Sequence, residues 1–151
     1  MGKLLNKLTL NKSCLIKILI MGLITLTSQL QAQDIIKFKT TEIAYKYTDS
    51  NDRWEEWSEW KDAKVLIILD TNKERIKIYS KETQIYDIAE DEGKKTNENG
   101  EDIYSLFCVN EDGSQCRLKL WKRYYKSGNI YYQLYINFSD AKYVYNMDIL
   151  K

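Results

Sequence analysis

Histidine and proline are absent from this chain of 151 residues, and only three cysteines occur. Without histidine a single chain cannot build the Ser-His-Asp or Cys-His arrangements that activate a nucleophile, nor a metal site ligated by histidine. No other motif with a recognisable catalytic mechanism occurs. Glu55, Glu56 and Glu59 lie beside tryptophans, but their spacing singles out no pair of carboxylates such as a glycosidase needs. The sequence therefore predicts a protein that is not an enzyme and that holds no cofactor and no metal.

Residues 90–102, EDEGKKTNENGED, carry six carboxylates among thirteen residues. A calcium loop needs oxygen ligands at alternating positions and glycine at the sixth. Counting back from Gly100 places Lys95 at the first ligand position, and counting back from Gly93 places Ile88 there. The spacing excludes a calcium loop and predicts a mobile, charged surface loop over 89–102.

Long nonpolar runs are also missing: the longest, residues 18–26 (ILIMGLITL), has nine residues, whereas a membrane-spanning helix needs about 20. This run follows four lysines, and the short polar stretch after it ends at Ala32, as in a secretory signal peptide. We expect residues 1–32 to be cleaved, leaving one domain of residues 33–151 without a membrane span, exported to the periplasm or beyond the cell. Loss of the four lysines leaves 19 basic and 22 acidic residues, a balance that does not predict a nucleic-acid partner.

After the leader, short alternating runs rich in tyrosine and β-branched residues recur every 8 to 12 residues, a pattern typical of an all-β sandwich or barrel. The fold expected is an antiparallel meander that closes as a small barrel or a strongly curved sheet of eight or nine strands, with a two-sheet sandwich as the alternative. The predicted strands are 35–47, 53–61, 64–70, 74–80, 84–89, 102–109, 115–124, 129–138 and 141–149. Strand number and meander order resemble the lipocalin-type calycin barrels, although the glycine-x-tryptophan signature near their first strand is absent. That resemblance implies a carrier of a small apolar ligand.

Turn chemistry predicts the register of the last four strands. Loops 111–113 and 126–128 each end in glycine, as a type I turn followed by a bulge requires, and residues 139–140 form a two-residue turn. These loops place one set of side chains on a continuous apolar face. The predicted pairs are Leu106 with Leu118, Tyr104 with Leu120, Cys108 with Cys116, Leu118 with Ile136, Leu120 with Leu134, Leu134 with Tyr145, and Tyr132 with Met147.

Two cysteines remain after cleavage, Cys108 and Cys116, and the predicted register places them opposite each other. An even count in an exported chain favours a disulfide, and the separation of such a pair lies within the range that can be bridged. We therefore expect a structural disulfide, with two buried thiols as the alternative.

The stretch RWEEWSEW (53–60) fits a strand better than a helix, because eight residues between turns are short for a helix. On a strand, Trp54 and Trp60 share one face and Trp57 takes the other. We expect the first two to close one end of the core and Trp57 to cover its outside. The functional alternative is that Trp57 is an exposed stacking platform.

The opposite, outward face of the last four strands is a mixture of aromatic, amide and cationic side chains. Tyrosine, tryptophan and arginine are enriched at binding hot spots, so this face is the candidate site for a protein or glycan partner. An enzyme inhibitor would use the same face, and a carrier would instead use the barrel interior. The candidate residues are Arg117, Lys119, Trp121, Arg123, Tyr131, Gln133 and Tyr135, together with Trp57.

Overall fold

The computed structural model describes residues 35–151, and the predicted signal peptide lies outside the described residues. The described part is all-β, and nine strands follow one another along the chain. They are β1 (Ile35–Tyr47), β2 (Lys61–Asp62), β3 (Leu66–Asp70), β4 (Arg75–Tyr79), β5 (Thr83–Thr96), β6 (Asp102–Asn110), β7 (Gln115–Tyr124), β8 (Ile130–Asn137) and β9 (Ala141–Ile149).

Eight of these strands form a closed antiparallel barrel. From β3 to β9 each strand pairs with the next along the chain, and β1 pairs with both β3 and β9. Strand β2 is an extra piece that pairs with β1 at Glu42 and Ile43. Because β1 pairs with β9, the first and last strands of one sheet are joined and the sheet closes on itself. The fold is therefore a barrel and not the alternative two-sheet sandwich.

The register predicted for the last four strands is confirmed. Leu118 pairs with Leu106 and Ile136, and Leu134 pairs with Leu120 and Tyr145. The two glycines that close the predicted loops, Gly113 and Gly128, have φ of 85° and 84°, in the left-handed region that favours glycine. Leu118, Leu134 and Tyr145 all belong to the same buried core.

The apolar positions of the first strand change parity between Phe38 and Ile43, which predicts a bulge near Thr40–Glu42. The bulge is present in β1, where the register with β9 shifts between those two residues. Thr40 is fully buried, and its hydroxyl joins the bulge to the segment between β2 and β3. The hydroxyl donates to the carbonyl of Ala63 and accepts the backbone N–H of Val65 at 2.9 Å. One side chain thus satisfies backbone groups where the ladder is interrupted.

Two predicted segments are wrong. Residues 89–96 belong to β5, and bulges between Ile88 and Glu90 and between Asp91 and Gly93 conceal the alternation that would have marked a strand. Residues 53–60 form no regular strand, although Trp54 makes an isolated bridge with Thr48. This segment lies beside β1 and is joined to it by only a few backbone hydrogen bonds. They include Glu55 N–H to Tyr47 O at 2.9 Å and Ser58 N–H to Tyr45 O at 2.8 Å.

The two ends of the barrel differ in packing. At the end that holds the β6–β7 and β8–β9 turns, aromatic rings fill the interior: Phe138 lies 6.5 Å from Tyr86 and 6.4 Å from Tyr143 between ring centroids. The middle is filled by side chains that are almost completely buried. These middle residues are Ile67, Ile76, Leu118, Leu134 and Met147. The opposite end, where β1 begins and β9 finishes, is open.

Candidate functional site

The open end of the barrel contains a cavity of about 520 Å³. This volume lies within the range of small-molecule sites, which is about 300 to 1,000 Å³. Seven strands contribute to its wall, because inward side chains near the ends of the strands meet around the opening. The lining residues are Ile36, Phe38, Leu69, Thr71, Glu74, Ile88, Asp91, Tyr104, Leu106, Leu120, Lys122, Tyr132 and Ile149.

The floor of the cavity is apolar. Phe38, Leu69, Leu106 and Leu120 line both the cavity and a gap of about 20 Å³ beneath it, below which the packed middle layer begins. The rings of Phe38 and Tyr132 meet edge to face, with centroids 5.6 Å apart. A ligand in the cavity would therefore contact hydrocarbon and ring edges at its inner end.

Charged groups stand at the rim. Lys122 lies on the β7 side and Glu74 on the turn between β3 and β4, while Asp91 lies on β5 and accepts the N–H of Gly93 at 2.8 Å. A hydrogen bond with Tyr124 raises the pKa of Lys122. An apolar floor below a charged rim suits a ligand with one apolar end and one polar end.

Five of the candidate residues on the outer face lie together in the structure. The Arg123 guanidinium lies 4.8 Å from the ring centroid of Trp121 and 5.8 Å from that of Tyr131. Gln133 accepts hydrogen bonds from Arg123 at 2.9 Å and from the Tyr135 hydroxyl at 3.1 Å. The sequence therefore placed these side chains correctly as neighbours on one face.

These neighbours are largely engaged with one another. Gln133, only 5% exposed, donates to Asn146 at 2.8 Å, and Asn146 donates to Glu42 at 3.0 Å. At the other end of this hydrogen-bond network, Arg123 donates to Glu101 at 3.2 Å. The network crosses from the β5–β6 loop to β1, and its polar groups mainly stabilise the barrel wall.

Glu101 is the buried carboxylate of this network. Its oxygens accept hydrogen bonds from Asn97 at 2.9 Å and from Arg123, and these bonds lower the pKa of Glu101, with the Asn97 bond as the largest cause. Sequence reasoning missed this residue because the charged composition of residues 89–102 predicts a solvated surface loop.

Arg117, Lys119 and Trp57 border that network without hydrogen bonding to it, and Lys119 lies directly opposite Tyr135 in the β7–β8 ladder. Arg117 makes a bidentate contact with Glu92 at 2.7 to 2.9 Å, whereas Lys119 is exposed. Trp57 is 38% exposed and meets Tyr135 edge to face at 6.3 Å. The candidate face thus consists of an internally bonded network and an adjoining basic region, with Trp57 in contact with the network at Tyr135.

The expectation that Trp54 and Trp60 close one end of the core is wrong. They are 38% and 44% exposed, and neither belongs to the buried core. The physical reason is that residues 54–60 lie along β1, held by backbone hydrogen bonds to Tyr45 and Tyr47, and contribute no side chain to the buried core.

The expected disulfide is also wrong. Cys108 and Cys116 are paired in register as predicted, but both are free, buried thiols. Directly opposed positions in a sheet allow a bridge only if the two side chains turn toward each other, and register alone does not decide this. Burial raises the pKa of Cys108 to about 12 and that of Cys116 to about 11.

The cavity itself was not found by sequence reasoning. Its wall residues Leu106 and Leu120 were placed on the inward face by alternation, which is the only signal the sequence carries for them. Whether inward side chains fill the space or leave it open depends on the summed volumes contributed by strands far apart along the chain.

The fold and cavity define a closed eight-stranded barrel with one open end. Comparison with family models, with curated proteins and with solved structures finds no significant match to this chain. Within residues 35–151, no helix is long and apolar enough to cross a membrane. The same residues contain no group of three acidic, cysteine or histidine side chains placed to hold a metal ion.

Proposed function

We propose that this protein is an exported carrier that binds a small amphiphilic ligand in the open end of its barrel. The observation that supports the proposal is the cavity of about 520 Å³ with an apolar floor at Phe38, Leu69, Leu106 and Leu120. A fully packed interior would have left no room for a ligand. Barrels of eight strands are just wide enough to hold one small ligand in this way.

The arrangement of the wall suggests how the ligand lies. Its apolar end would occupy the floor, where burial contributes about 25 cal/mol for each Å² of apolar surface removed from water. Its polar end would remain at the rim beside Lys122, Glu74 and Asp91. Charged groups at the rim can stay hydrated, so binding does not require their burial.

The outer-face alternative has weaker support near Trp121. Arg123, Gln133 and Tyr135 already use their polar groups within the barrel wall. A partner there would have to break existing hydrogen bonds, or bind without forming new ones to these three side chains.

Binding of an uncharged fluorescent naphthylamine tests the carrier directly. The wild-type protein is expected to bind about one equivalent saturably. Leu120→Trp, which places a larger side chain in the cavity, should weaken binding at least about tenfold, equivalent to 1.4 kcal/mol. Lys119→Gln changes the next residue of the same strand, which faces outward, and should leave binding unchanged.

Circular dichroism and urea unfolding must show that Leu120→Trp is folded. Should overpacking unfold it, Leu106→Phe provides a smaller filling of the same space. An organic extract of the purified wild type, examined by mass spectrometry, should also contain an amphiphile. Equal binding of the naphthylamine by folded filled variants and wild type would exclude the cavity as the site.

A further inference from the structure

A second concave surface lies on the outside of the barrel, near its closed end. It is a shallow groove of about 490 Å³ across β6 to β9, separate from the cavity at the mouth. Its floor and walls combine an aromatic ring, amides and cations. The residues that carry the argument are Phe107, Gln115, Arg117, Lys119, Asn137 and Lys142.

Three cations line the groove: Arg117, Lys119 and Lys142. Lys119 and Lys142 make no ion pair with any carboxylate in the described part of the chain, and Lys46, directly opposite Lys142 in the β1–β9 ladder, makes none either. Glu92 binds Arg117 and also attracts Lys119, so it offsets part of the positive charge of the groove. The remaining cations stand out in a domain whose residues 33–151 carry 22 acidic and 19 basic side chains.

Electrostatic repulsion between these neighbouring cations destabilises the folded protein. Like charges directly opposite each other in a sheet are destabilising. Burial, followed by the charges of Lys46 and Lys119, lowers the pKa of Lys142. An anion bound in the groove would relieve this repulsion, so the arrangement favours a negatively charged ligand.

We propose that this groove binds an acidic oligosaccharide through its carboxylate or sulfate groups. Lys119 and Lys142 would face the anionic groups, while the Gln115 and Asn137 amides and the Phe107 ring would contact the sugar. Strands β7, β8 and β9 are each paired on both sides, so the groove offers no free strand edge to an acidic peptide. Recognition must therefore come from side chains.

Titration calorimetry with a sulfated oligosaccharide, a polyuronate of similar length and an uncharged oligosaccharide tests the proposal. Wild type should bind both acidic glycans and not the uncharged one, with an affinity that falls as salt rises. The double variant Lys119→Gln with Lys142→Gln should bind at least about tenfold more weakly, which is 1.4 kcal/mol. Lys64→Gln with Lys77→Gln makes the same charge change on the other side of the barrel and should bind as wild type.

Poly-glutamate supplies the competing outcome. If it binds as tightly as the acidic glycans, the partner is an acidic peptide and the proposal is overturned. Absence of binding to any acidic glycan, or equal binding by the two double variants, would also overturn it.

The two sites can be judged separately. The cavity-filled Leu120→Trp protein should keep its glycan affinity, and the Lys119→Gln, Lys142→Gln protein should keep its naphthylamine affinity. Failure of the carrier proposal therefore leaves the groove proposal standing, and the reverse also holds.

Discussion

Lys46 on β1 lies directly opposite Lys142 on β9, and the two ammonium groups share the indole ring of Trp54. The Lys142 nitrogen is 4.0 Å from the ring centroid and the Lys46 nitrogen 5.5 Å. The negative face of an indole attracts cations, so Trp54 reduces the cost of placing two lysines together. The segment 54–60, which forms no regular strand, thus contributes to the barrel through its side chains.

We expect Trp54→Ala to lower the free energy of unfolding, and to lower it less when Lys142 is already glutamine. The coupling energy of this double-mutant cycle should be about 0.5 to 1 kcal/mol, the usual size of an exposed cation–π contact. Urea denaturation measures each variant. Trp60→Ala, where no cation lies over the ring among the described residues, should show no coupling to Lys142. A coupling near zero for Trp54 would mean that the ring contact does not stabilise the barrel.

Removal of the Thr40 hydroxyl should lower the free energy of unfolding. Thr40→Val keeps the shape but leaves the Val65 N–H and the Ala63 carbonyl without their partner, which should cost about 1 to 3 kcal/mol of unfolding free energy. Thr40→Ser keeps the hydroxyl and should cost clearly less. Chemical denaturation distinguishes the two, and similar losses for valine and serine would show that packing, rather than hydrogen bonding, determines the position.

The two buried thiols should react slowly with a disulfide reagent. Since their pKa values are raised to about 12 and about 11, only about 0.1% or less is thiolate at pH 8, and the rate should rise as the pH increases toward 11. In a Cys14→Ser chain, Ellman's reagent should detect two thiols quickly in denaturant and hardly any in the native protein. Finding no thiol after denaturation would indicate a disulfide.

Glu101 should make the free energy of unfolding depend on pH in the acidic range. Hydrogen bonds from Asn97 and Arg123 lower its folded-state pKa, so its contribution is present above the unfolded-state pKa and is lost as the pH falls through the folded-state pKa. Glu101→Gln should cost about 1 kcal/mol at pH 7 and progressively less as the pH falls toward 3. Thermal unfolding across this range measures the difference. Glu98→Gln, at the exposed tip of the same loop, should show little effect at any pH.

Much of the fold could be predicted where the determining interactions are close in sequence. The bulge in β1 and the β3–β4 hairpin, with Leu69 opposite Ile76, follow from alternation and turn residues. Prediction failed for the second half of β5, because two bulges shift the alternation and leave charged side chains where a loop was expected. It failed for residues 53–60 because a run of tryptophans has strand-like composition whether or not its backbone is paired in a ladder.

The candidate site divides in the same way. Alternation placed Trp121, Arg123, Gln133 and Tyr135 on one face, yet it could not show that a buried Glu101 and Glu42 would engage that face from other strands. Alternation from the Ser139–Asp140 turn also places Lys142 on the outer face, but its repulsion with Lys46 arises only when β9 meets β1.

The amino-acid sequence by itself determined the pairing of the last four strands and the direction of their side chains, because tight turns and a two-residue period act over short stretches of chain. Only the tertiary structure decided that β1 closes the barrel against β9, that aromatic rings fill one end and that the other end stays open. Those features depend on the combined volume and curvature of eight strands, which no single stretch of the chain contains.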